Sequence, residues 1–127
     1  MTQEAKDLLL KDLCARLPYG VKIDKVLYGA ITLNERDIES FRRGFDDILV
    51  PYLRPMSSMT DEEKKEYRNF IEFSYNDYTS ESKECVYVTN VNSFVDWLDK
   101  NMFDHRGLIP LGLAIDITKV NNNPYKN

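Results

Sequence analysis

The sequence predicts an α+β fold: a small antiparallel β unit packed with about three α-helices in a single domain. Three observations carry that expectation. Apolar residues recur at helical spacing in the first seventeen residues and again after residues 60 and 91. Residues 21–33 alternate in part, as half-buried strands do. Pro51 to Glu63, PYLRPMSSMTDEE, marks where one unit stops and a helix starts: Pro51 and Pro55 each remove a backbone donor and fix φ, while Thr60 and Glu63 have capping-box spacing.

Each element follows in turn. Ala5, Leu9, Leu13 and Leu17 recur at i+4 with Leu10 and Cys14 beside them, while Lys6, Asp7, Lys11 and Asp12 fall largely on the other side, which predicts an amphipathic helix over residues 1–17. Pro18 and Gly20 end it. Residues 21–50 read as a β-rich unit. Two short strands fit Val21 to Leu33, with Gly29 marking a bulge or a close backbone approach. Asp37 to Val50 reads either way: Ile38, Phe41, Phe45 and Ile48 have helical spacing, whereas Ser40, Arg42 and Gly44 permit a twisted strand and turn. A helix over residues 60–74 carries Asp61, Glu62 and Glu63 at its N-terminal dipole end and Tyr67, Phe70 and Ile71 inward. YNDYTSESKE reads as a surface loop before a short strand at Cys85 to Val88. Val91, Phe94, Val95, Leu98 and Met102 form the stripe of a helix over residues 91–102, with Asn90 or Asn92 as its cap. The Gly- and Pro-bearing stretch after it suggests a packed loop and a last strand at Leu113 to Ile117, and residues 121–127 should fray.

Composition bounds the class. With 127 residues, 43% of them hydrophobic, the chain can bury one core and is too short for two large domains. Eight Tyr, six Phe and one Trp argue against disorder. A formal net charge of −4 gives no whole-molecule attraction to nucleic acid or an anionic membrane. The N-terminal residues do not resemble a secretory signal and no segment approaches the ~18 apolar residues of a membrane span, so the expectation is a cytoplasmic protein with no membrane contact. Cys14 and Cys85 read as two buried small hydrophobes.

LCARLPYGVK, PYLRPMSSMT and the FDHRGLIPLGLA segment together resemble a family of small proteins of uncharacterised function, common in gut bacteria of the Bacteroides group and often carried in prophages or other mobile elements. The resemblance spans nearly the whole chain. It implies a genomic context and a small β unit flanked by helices, and it brings no activity, cofactor or catalytic residue. A hairpin-like pattern before PYLRPMSSM in such proteins implies strand over Asp37 to Phe45, while the spacing of Phe41, Phe45 and Ile48 keeps helix open.

The candidates for chemistry are few. His105, the only histidine, sits between Asp104 and Arg106 and could act as a base oriented by a carboxylate, although a histidine beside a helix end more often caps carbonyls or packs in the turn. Ser57, Ser58, Thr60 and Cys85 lack a base at a recognisable spacing. No metal-ligand motif or phosphate-binding Gly-rich loop occurs; Asp46 with Asp47 and Asp61 to Glu63 read as a turn and a helix start. No cofactor or metal is expected. Arg36, Arg42, Arg43 and Arg54 with Tyr28, Phe41, Phe45 and Tyr52 could form a basic aromatic patch for nucleic acid, but Glu35, Asp37, Glu39, Asp46 and Asp47 interleave with them. Tyr19, Tyr28, Tyr52, Trp97 and Phe103 are the aromatic candidates for a protein contact. The sequence therefore reads as a non-enzymatic protein-interaction or accessory protein of a prophage or mobile element, with Tyr28, Arg42, Arg43, Tyr52 and Arg54 as the binding surface. The alternatives are a nucleic-acid-binding accessory domain and a small enzyme using Asp104, His105 and Arg106.

Overall fold

The computed structural model describes residues 2–25, 29–44, 49–68 and 93–126. In chain order the elements are α1 (Gln3–Arg16), β1 (Lys22–Lys25), β2 (Gly29–Thr32), α2 (Glu35–Arg42), β3 (Val50–Leu53), α3 (61–68), α4 (93–100) and β4 (Ile115–Asp116). They form an α+β domain around one four-stranded mixed sheet of order β2-β1-β3-β4. β1 is antiparallel to β2 and β3, and β4 adds to β3 in parallel, so the antiparallel unit gains a parallel edge from the end of the chain.

Thr2 starts α1, its hydroxyl accepting the Ala5 N–H at 3.1 Å. After Arg16 the chain tightens into a 3₁₀ turn, Leu17–Tyr19, and Gly20 at φ 74 turns it into β1 through the left-handed region that glycine enters without strain. The apolar core is built by Leu9 and Leu13 of α1, Val21, Ile23, Leu33, Phe41, Leu49, Leu53, Met102 and Leu108. Two expectations for α1 need correction. Asp12 lies on the buried face, held there by arginine partners described below, and Cys14 is exposed. Cys85 lies outside the described residues.

Where helix and strand competed, helix wins over the first half of the segment. The Asn34 side chain accepts the Asp37 N–H at 3.0 Å and Asp37 returns a bond to the Asn34 N–H at 3.1 Å, a complete capping box that starts α2. The strand implied for Asp37 to Phe45 therefore does not form through Arg42, and Phe41 packs into the core from a helical face. Residues 45–48 lie outside the described set. Pro51, expected to end the ladder, sits inside β3. Leu33 N–H bonds Val21 C=O at 2.9 Å, which sets the register so that Ile23 turns its backbone groups to β2; Pro51, opposite Ile23, therefore removes no bond to β1.

The capping box at Thr60 forms as read, with Glu63 N–H to the Thr60 hydroxyl at 3.1 Å and Thr60 N–H to Glu63 Oε1 at 2.9 Å. Tyr67 of α3 meets Phe94 of α4 edge-on at 5.2 Å between ring centroids, and the Trp97 indole N–H donates to Glu66. The end of the 60–74 helix, the YNDYTSESKE loop, the strand at Cys85 to Val88 and the cap at Asn90 or Asn92 lie outside the described residues. α4 stops at residue 100, two residues short of the expected end. Phe103 N–H returns to Leu98 C=O and Met102 N–H to Asp99 C=O, the paired bonds of a Schellman cap. Met102 takes the left-handed position at φ 62, where glycine is usual, and its side chain is buried in the core.

Against the fraying expected of residues 121–127, Tyr125 makes side-chain bonds to the sheet. If the β1–β3 register is continued by one residue, Lys22 faces Tyr52, and there the Tyr125 hydroxyl stands between the strands. It accepts the Lys22 N–H at 2.9 Å and donates to the Tyr52 carbonyl at 2.7 Å. One phenol thus replaces a ladder bond and ties residues 121–126 to the sheet.

Candidate functional site

The Schellman turn after α4 brings residues 103–106 back against α1, and the result is a buried cluster of charge. Asp12 and Arg16, one helical turn apart on α1, are both fully buried. Arg16 Nε donates to Asp12 Oδ2 at 2.9 Å, and its Nη2 donates to the Phe103 carbonyl. Arg106 Nη1 donates to Asp12 Oδ1 at 2.8 Å and to Asp99 Oδ1 at 2.9 Å. His105 Nε2 donates to Asp99 Oδ1 at 2.7 Å. Two carboxylates therefore face two guanidiniums, the balance a buried ionic group requires. Burial pushes the Asp99 carboxyl up, but hydrogen bonds from His105 and Arg106 and the charges of Arg106 and Arg16 overcome it and hold its pKa at about 2.

Asp104, His105 and Arg106 are neighbours, yet they do not form the site the sequence suggested. The Asp104 oxygens accept the Leu108 N–H at 2.7 Å and the Ile109 N–H at 2.8 Å, so this carboxylate shapes the turn and does not orient the histidine. Asp99 orients it instead. Sequence reasoning missed Asp12, Arg16 and Asp99. The available signal was the i,i+4 pair Asp12 and Arg16 flanking Leu13. Such a cluster can pin α1, the end of α4 and the following turn together. Among the described residues no three His, Cys, Asp or Glu side chains converge as a metal site.

The basic aromatic surface is also dispersed. Arg42, the last residue of α2, and Arg43, its C-cap, are exposed and each pairs with Glu39, at 3.1 and 2.9 Å. Tyr52 donates to Asp24 at 3.2 Å. Arg54 is half-buried: its Nη1 and Nη2 form a fork on Glu63, each bond 2.7 Å, Nη2 also reaches the Ser58 carbonyl, and the guanidinium lies 4.1 Å from the Phe103 ring centroid. The Arg54 hydrogen bonds, with those from Thr60, hold the Glu63 carboxyl at about 2 against the opposing effect of burial. Tyr28 lies outside the described residues. Of the aromatic contact candidates Phe103 is fully buried, stacked on Trp97 at 5.5 Å, whereas Tyr19 is 38% exposed.

Tyr19 opens onto a groove of about 790 Å³ between the Arg54–Glu63 segment and the C-terminal tail. Its walls are the Arg54–Glu63 pair on one side and Thr118, Asn121 and Lys126 on the other, and Met102 lines it from the Schellman turn. The volume falls in the ~300–1,000 Å³ range of ligand-binding clefts. Compared with family models, curated proteins and solved structures, the chain matches none of them. The class of protein therefore rests on the fold: a small α+β protein with a buried charge cluster and a surface groove.

Proposed function

We propose that the protein is a non-enzymatic protein-interaction module, an accessory protein of a prophage or other mobile element, and that it engages its partner through the groove between Arg54–Glu63 and the tail. The mobile-element context rests on the likeness of the LCARLPYGVK, PYLRPMSSMT and FDHRGLIPLGLA segments. The observation that carries the interaction reading is the groove itself, a cleft of about 790 Å³ with exposed Tyr19 on its lining. The side chains proposed for chemistry have structural occupations: Asp104 shapes a turn, and His105 and Arg106 are bonded to Asp99. Of the arginines in the nucleic-acid reading, Arg42, Arg43 and Arg54 are paired with Glu39 or Glu63, which weighs against phosphate binding by them.

Position-dependent photocrosslinking in native cells tests this reading. A photoreactive amino acid placed at Asn121, in the groove, should give a discrete protein adduct that survives nuclease, and the same probe at Glu35 on α2 should not. Equal adducts from both positions, or adducts lost on nuclease treatment, would overturn it.

A further inference from the structure

The charge of the groove differs in sign from that of the molecule. The chain carries a formal net charge of −4, yet the groove is lined by Arg54, Lys100 and Lys126 against a single carboxylate, Glu63. Glu63 is taken up by the two-pronged bond from Arg54, so that pair is neutral and rigid. The excess positive charge belongs to Lys100, the last residue of α4, and Lys126, in the tail; both are exposed and neither is ion-paired among the described residues. In a field that is negative overall, such a patch selects anionic groups and raises their rate of encounter.

The rest of the lining narrows the kind of anion. Asn101 donates to the Trp97 carbonyl through Nδ2, and its side-chain oxygen accepts no hydrogen bond among the described residues; the Asn121 side chain is exposed. A carboxamide offers a donor and an acceptor in one plane, the pattern that a peptide backbone presents in return. Tyr19 and Val120 add apolar surface for a side chain between the charges. Resting on the interaction reading above, we infer that the groove takes an extended acidic peptide segment of the partner, its backbone on Asn101 and Asn121, its carboxylates on Lys100 and Lys126 and an apolar side chain on Tyr19. A nucleic-acid strand fits less well, because two lysines on a chain of net charge −4 answer few of its closely spaced phosphates.

Amide chemical-shift titration of the full chain tests this with three probes: a blocked peptide of about ten residues made of Glu and Asp around one central Phe, the same peptide with every acid replaced by its amide, and a ten-nucleotide oligothymidine. The expected result is shifts confined to the groove with the acidic peptide, about tenfold weaker with the amide peptide and weakened in the same way by raising salt from about 50 to about 500 mM. The double variant Lys100→Glu, Lys126→Glu should lose the preference for the acidic peptide while keeping its fold by amide dispersion. Equal binding of both peptides would overturn the acidic inference and leave the interaction reading standing. Groove shifts from the oligothymidine alone would overturn both, and so would the absence of groove shifts with every probe.

Discussion

Asp12 and Arg16 sit one turn apart on α1 with no exposed side-chain surface, and their energetic weight comes from being needed by each other. Removing one partner of a buried pair leaves the other charge desolvated, which costs about 3–5 kcal/mol, far more than an exposed pair contributes. Asp12→Ala, which strips Arg16 and Arg106 of a shared carboxylate, is expected to lower the free energy of unfolding by that amount in urea titration; a loss under about 1 kcal/mol would contradict the buried network. The sequence hid this pair for a physical reason. Charged residues are seldom fully buried, so the polar side of an amphipathic pattern is read as solvated. The partners that reverse that reading, Asp99, Phe103 and Arg106, lie more than eighty residues along the chain. His105 was legible as a residue of interest but not its partner, because adjacency to Asp104 says nothing about where either side chain points.

Among the elements, α2 and α4 show what spacing and capping each reveal. Spacing alone left Asp37 to Val50 open, and the reciprocal bonds of Asn34 and Asp37 decide its first half. Asn34→Ala is therefore expected to cost about 1 kcal/mol of stability, read from thermal or urea unfolding, with helical circular dichroism reduced if α2 is separately unfolded. A neutral substitution would return the segment to the strand reading. The capping signal, Asn followed three residues later by Asp, was present in the sequence and outweighs the turn formers around it. α4 shows the opposite case. Its apolar stripe runs through Met102, but the helix ends earlier because Met102 adopts a left-handed conformation, with no glycine in the sequence to announce the cap. Burial of the Met102 side chain and the bond from Arg54 N–H to its carbonyl at 2.8 Å hold it there.

For the whole molecule, the sheet is closed by contacts far apart in sequence, and three groups, Asp99, Glu63 and Tyr125, make stability depend on pH. Asp99 and Glu63 have pKa values of about 2 in the fold against ordinary values of 3.8 and 4.5, so the unfolded chain binds more protons as pH falls. The stability they contribute is present above about pH 4.5 and is lost as pH falls towards about 2. Burial pushes the Tyr125 hydroxyl up to about 12 against its ordinary 10.0, although the Lys22 N–H pulls the other way. Here the folded chain holds its proton while the unfolded chain loses it, so stability is full below pH 10 and falls as pH rises towards about 12. Tyr125→Phe should lower stability at neutral pH, by unbridging Lys22 and Tyr52, and flatten the alkaline fall in a series of urea titrations. An unchanged alkaline limb would contradict the bridge. The α+β class, the β1–β2 pair and the helix at Thr60 were legible because their signals are local. The β3–β4 pairing, the bridging tail and the groove they enclose join residues 52–54 to residues 102–125, and no local pattern records such contacts.

In the function proposed above the groove recognises a partner, while the Asp12–Asp99–His105–Arg106 cluster holds the fold together. The most direct measurement is the yield of the Asn121 photocrosslink in three backgrounds: the unaltered chain, Thr118→Trp, which fills the groove, and His105→Gln, which alters the cluster. Thr118→Trp should abolish the adduct with the melting temperature unchanged, and His105→Gln should lower the melting temperature and keep the adduct. An adduct that survives Thr118→Trp and disappears with His105→Gln in folded protein would contradict that proposal.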